Sequence, residues 1–137
     1  MARDKFHDLV KMGLENEGWM ITDDPYKIKF ARIKFQVDLA AERIIAAEKD
    51  NEKIAVEIKS FLNPSTVTDF YGALGQFLSY RLVLKQVEAE RTLYLAVPLD
   101  TYEDFFTSEF VQLTINEYQL NLIIYNSVQG GLVQWIS

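Results

Sequence analysis

Near the N-terminus, Phe6, Leu9, Val10 and Leu14 recur at helical spacing, which predicts a helix from about Arg3 to Glu17 with Gly18 placed for a left-handed cap. Trp19–Thr22 reads as a short strand and Asp23-Asp24-Pro25 as a loop. The parity of apolar positions shifts between Phe30 and Ile33, which marks a turn or a bulge. In 35–40, Phe35, Val37 and Leu39 alternate with Gln36, Asp38 and Ala40. A second run, Arg43–Glu48, leads to a polar turn at Asp50-Asn51-Glu52. The third, Lys53–Lys59, puts Ile54, Val56 and Ile58 on one face and Ala55, Glu57 and Lys59 on the other. The middle of the chain thus predicts an antiparallel meander.

Asn63-Pro64-Ser65 ends the sheet, and Thr66-x-x-Asp69 has the form of a capping box opening a long helix to about Val87. Gly72 and Gly75 each cost that helix up to ~1 kcal/mol relative to alanine. Close approach to the sheet is the expected compensation. Thr92–Val97 reads as a buried strand ended by Pro98, and Glu103–Tyr118 as a helical stretch broken near Thr107. Asn121–Tyr125 and Leu132–Ile136 close the chain as two strands joined through Gly130-Gly131. The order α-β-β-β-β-α-β-α-β-β predicts one α/β (α+β) domain over 1–137, a two- or three-layer mixed unit built on one sheet flanked by helices.

The 137 residues contain no cysteine, which excludes disulfides, thiolate metal sites and a thiol nucleophile; the single histidine excludes a multi-histidine site. The longest apolar runs are far short of the ~18 residues a membrane span needs. The opening MARDKFHDL mixes both charge signs without an apolar stretch, so a cytoplasmic protein is expected. A net charge of −6 argues against a general polyanion binder. It is compatible with a phosphate enzyme whose own acids recruit cations. Against this acidic background Lys27, Lys29, Arg32 and Lys34 form a local basic stretch, either solvating a sheet surface or facing phosphate.

The sharpest chemical signal is Val56-Glu57-Ile58-Lys59 with Asp38 upstream. Alternation puts Glu57 and Lys59 on one face, and a neighbouring strand would bring Asp38 beside Glu57. Two carboxylates make a hard-oxygen site for Mg²⁺ or Mn²⁺. Lys59 would assist the attacking water or offset charge on a scissile phosphate. The bland reading is a surface ion-pair cluster, in which each exposed pair contributes only ~0–1 kcal/mol. Gln76 and Tyr80 follow on the long helix. Gln76 fits a contact to the phosphate or to a coordinated water, or equally a hydrogen bond to a sheet edge. Tyr80 fits a core aromatic with its hydroxyl at the rim, and Trp19 and Trp135 fit packing roles.

Helix, meander with Asp38 then Glu57-x-Lys59, helix and strand together resemble the PD-(D/E)xK restriction-endonuclease-like superfamily. Gln76-x-x-x-Tyr80 resembles the additional motif of its RecB-like branch. In many members the first helix adds an acid to the metal site; here that place aligns with His7, beside Asp8 and Glu15. At finer grain the chain resembles the XisH-like proteins, the fdxN element excision controlling factors. FHDLVKMGLENEGWMITDDPY, VDLAAERIIAAEKDNEKIAVEIKSFLNPS, ALGQFLSYR, LYLAVP and VQWI carry this resemblance.

The resemblance implies a cyanobacterial-type factor in site-specific removal of a DNA element, alongside a recombinase and a small XisI-like partner. It implies a restriction-endonuclease-like fold and a Mg²⁺- or Mn²⁺-dependent endonuclease. Its metal ligands would be Asp38, Glu57 and His7, with Lys59 and Gln76 in catalysis. An accessory protein that binds DNA or a recombinase without cutting is the other reading. The apolar terminal strands would cover the core, pair two subunits or receive the XisI-like partner.

Overall fold

The computed structural model describes residues 4–45 and 50–137. A six-stranded mixed sheet, order β1-β4-β5-β6-β7-β8, forms the centre. Its strands are β1 (Met20–Asp23), β4 (Leu39–Ile45), β5 (Asp50–Ile58), β6 (Thr92–Pro98), β7 (Leu122–Tyr125) and β8 (Leu132–Ile136). β1-β4, β4-β5 and β7-β8 pair antiparallel, whereas β5-β6 and β6-β7 are parallel. Each parallel step needs a helical crossover. The first is α2 (Thr66–Val87). The second runs from α3 (Leu99–Thr101) through a π-turn, Tyr102–Phe106, into α4 (Glu109–Tyr118). Among the described residues no helix is long and apolar enough to cross a membrane.

Two buried clusters lie on opposite faces of the sheet, making three layers. On one face Val10 and Leu14 of α1 (His7–Asn16) pack with Trp19, Leu39, Val56, Ile58 and Tyr125. On the other, Phe70, Ala73 and Phe77 of α2 and Val111 and Ile115 of α4 pack on Ala55, Leu95, Val97 and Leu122. β5 is therefore buried on both sides, so Glu57, on the α2 face, is buried too.

Several sequence expectations shift. The proposed start at Arg3 lies outside the described residues, and Asp4 to Phe6 precede α1 rather than belong to it. Gly18 does take the left-handed conformation, φ +91°, and its N–H donates to Glu15 O. The polar turn expected at Asp50–Glu52 is strand, paired with Ile45 to Arg43; residues 46–49 of the Arg43–Glu48 run lie outside the described residues. The cap of α2 is Ser65, whose Oγ accepts from Thr68 N at 3.3 Å, and Asp69 instead accepts from Asn63. The second helical stretch starts four residues earlier than expected, at Leu99, and breaks where expected, at Thr107.

Gly72 and Gly75 do not touch the sheet. Both are exposed, and a Cβ added at either meets nothing within 4 Å. The close approach is made by Gly13, where a Cβ would sit 2.8 Å from Leu132 Cδ2.

The run expected as one strand over 35–40 is two. Ile33–Val37 (β3) pairs with Tyr26–Phe30 (β2) as a separate two-stranded sheet, and β4 begins at Leu39. Asp38 is the single residue between them. The Phe30–Ile33 parity shift is a tight hairpin turn, with Ala31 and Arg32 at φ +51° and +68°. A two-residue turn with both centres left-handed matches the twist of the flanking strands.

Candidate active site

Asp38 stands where the chain passes from the hairpin to the central sheet, and local bonding fixes it there. Its N–H donates to Glu57 Oε1 at 3.2 Å, and its Oδ2 accepts from Ile58 N at 2.7 Å. Lys59 follows β5 directly. Its N–H donates to Ala96 O at 3.0 Å, and its carbonyl accepts from the Tyr125 hydroxyl at 2.8 Å. The side chain then returns toward Glu57, with Nζ 3.4 Å from Oε2. Each carboxyl thus commits one oxygen to a backbone amide, and the second Glu57 oxygen faces the ammonium.

Electrostatics make this pair unusual. Burial pushes the Glu57 carboxyl well above its ordinary range, and the neighbouring Asp38 pushes it further, while Lys59 pulls the other way. Tyr80 is raised by burial and then by the charges of Glu57 and Asp38, which shows that its hydroxyl shares their field.

A cavity of about 370 Å³ opens over the pair, lined by Asp4, Lys34 and Gln36 together with Asp38, Glu57, Lys59, Gln76 and Tyr80. A second, of about 440 Å³, adjoins it through Asp4, Lys59 and Gln76 and runs past Gly72 toward the N-terminus of α2. Four of the five sequence candidates (Asp38, Glu57, Lys59 and Gln76) therefore share one cavity wall. Gln76 is exposed there, one turn from Tyr80, whose ring stands edge-on to Phe35 at 6.3 Å.

His7 is placed elsewhere, neither on the surface nor in this wall. It is buried, and its Nε2 lies 2.7 Å from Asp24 Oδ1, while Lys11 reaches the other oxygen at 2.8 Å. The acid that the first helical region brings to the cavity is Asp4, which the sequence reading passed over. Its Oδ1 accepts from Phe6 N at 2.9 Å, ahead of the helix. An aspartate just before an amphipathic run is the available signal. A helix predicted from about Arg3 absorbs Asp4 into its first turn and conceals that signal.

The donor set is all oxygen, with the buried Glu57 beside the half-buried Asp38, and suits a hard divalent cation. Among the described residues no three histidine or acidic side chains converge tightly enough to enclose such an ion on their own. The protein would supply two ligands, Asp38 and Glu57, and leave the other positions open, a pattern Mg²⁺ tolerates.

The family model described as XisH protein matches residues 1–133. Two solved structures resemble the chain, both at TM-score 0.89 with 98% of this chain and 100% of theirs covered. One is an XisH family protein from Nostoc punctiforme PCC 73102, 46% identical. The other, 45% identical, is an fdxN element excision controlling factor protein from Anabaena variabilis. A comparison with curated proteins finds no match. With its profile matched along nearly its whole length and its fold shared with relatives this similar, the chain belongs to the XisH family.

Proposed function

We propose that this protein controls excision of a DNA element, and that it does so as a divalent-metal-dependent endonuclease acting on DNA phosphodiesters. One observation carries the reading: a buried Glu57 held against Asp38, with Lys59 beside it, in the wall of an open cavity. Left alone, the pair is electrostatically unfavourable. Two like charges in a desolvated site resist ionisation, and Glu57 holds its proton instead. A divalent cation removes that cost.

Asp38 and Glu57 would hold Mg²⁺ or Mn²⁺, which when bound supplies Lewis-acid stabilisation of a phosphoryl oxygen and a more acidic water. Asp38 is preorganised by the amide of Ile58, so no rearrangement is needed to present it. Lys59, its backbone pinned by Ala96 and Tyr125, sets an ammonium where negative charge grows on the phosphate. Gln76 donates from the helix across the cavity and orients a non-bridging oxygen. By resemblance, a recombinase and an XisI-like protein act alongside.

The test is strand cleavage of supercoiled and short duplex DNA in Mn²⁺. Nicked product is expected from the wild-type protein and none from Asp38→Asn or Lys59→Ala. Intact DNA across duplex, single-stranded and branched substrates, with DNA still bound, would instead support the accessory role.

A further inference from the structure

The β2–β3 hairpin carries a charge arrangement that folding alone does not favour. Registry places Lys27 opposite Gln36 and Lys29 opposite Lys34, so all four share one face of the ribbon. Tyr26, Ile28, Phe35 and Val37 take the other face, with Ile28 and Val37 buried in the core. The parity shift that breaks up the basic strip in the sequence is the turn itself, which brings the lysines back together.

Like charges directly opposite on a sheet are destabilising. Yet among the described residues none of Lys27, Lys29, Arg32 or Lys34 has an acidic partner, in a chain with 20 acids. The base of the ribbon is anchored, since the Tyr26 hydroxyl donates to Glu88, which also receives Arg91 Nε at 3.0 Å. The tip projects, with Phe30 40% and Ile33 57% exposed. Lys34 and Gln36 belong at once to this face and to the wall of the Asp38–Glu57 cavity.

We infer that this hairpin is the arm that grips duplex DNA, its lysine face tracking the phosphate backbone and leading it into the Asp38–Glu57 cavity. The inference rests on the proposed function for what the cavity accepts. Charge complementarity and continuity with the cavity identify the occupant. A two-stranded ribbon also has the width that a major groove of about 12 Å admits.

The experiment measures duplex DNA affinity by fluorescence anisotropy in EDTA, where metal-dependent cleavage is silent. It compares the wild type, the single variant Lys85→Gln, an exposed lysine on α2 outside both the hairpin and the cavity lining, and the triple variant Lys27→Gln, Lys29→Gln, Lys34→Gln. The wild type and Lys85→Gln should bind alike. The triple variant should lose tenfold or more, and its slope of log affinity against log salt should be shallower by about 2.7, three phosphate contacts at ~0.9 each. Restoring arginine at the three positions should restore both, and melting curves should show the variant no less stable than wild type. A triple variant with wild-type affinity and slope overturns the inference, as does a wild type that binds no duplex or prefers RNA. Duplex binding that depends on the three lysines, in a wild-type protein that leaves DNA intact in Mn²⁺, separates this inference from the catalytic reading.

Discussion

Asp38 and Glu57 hold each other through backbone amides against the repulsion of their charges. The amide of Asp38 donates to the Glu57 carboxyl, and the amide after Glu57 donates to the Asp38 carboxyl. This reciprocal pair bridges the hand-over from hairpin to central sheet. It positions the two acids side by side, and it sets their electrostatic cost.

That cost has a pH signature. The Glu57 carboxyl, ordinarily near 4.5, is pushed up to about 8, first by burial and then by Asp38. Between those values the folded state holds a proton that the unfolded state has lost, so stability falls as pH rises through the window. Urea unfolding at the two ends of that window should show a clear loss for the wild type toward high pH. Glu57→Gln, which has no proton to lose, should flatten the dependence. An equal slope in both proteins would refute the assignment.

Glycines on α1 and α2 should respond in opposite senses. Gly72→Ala and Gly75→Ala enter open space on a helix, and each should stabilise by up to ~1 kcal/mol. Gly13→Leu must displace Leu132, which already lies 2.8 Å from the added Cβ, and should cost about 1–3 kcal/mol. Denaturant midpoints decide both.

The hairpin turn is built from residues that resist its geometry. Ala31 and Arg32 sit at φ +51° and +68°, where a side chain costs about 1–2 kcal/mol per residue. Replacing the pair by Asn-Gly should raise the melting temperature, because both residues accept the left-handed region. An unchanged or lower value would mean that the turn is not of this type.

Strict alternation made β5 legible, and with it Glu57 and Lys59 on one face. The start of α2 was legible from Asn63-Pro64-Ser65, although the cap proved to be Ser65. Alternation could not reveal that a strand changes sheets. Residues 35–40 keep perfect period two across Asp38, while the pairing partner switches from β2 to β5. Ala31-Arg32 lacks the Asn-Gly signal, so a hairpin looked the same as a bulge. His7 was misplaced because its partner Asp24 arrives from beyond β1, a contact only tertiary structure supplies. Asp4 was missed because it lies in irregular chain, where no periodicity points.

The proposed function depends on a divalent-cation site formed by Asp38 and Glu57. The most direct measurement is calorimetric titration of Mn²⁺ and Mg²⁺ into the wild-type protein and into Asp38→Asn at pH 8, where Glu57 is easier to ionise. One stoichiometric site is expected in the wild type and none in the variant. At ten times the dissociation constant the wild type should also gain about 1.4 kcal/mol in stability. No binding by the wild type, or binding indifferent to Asp38, would overturn this ligand set.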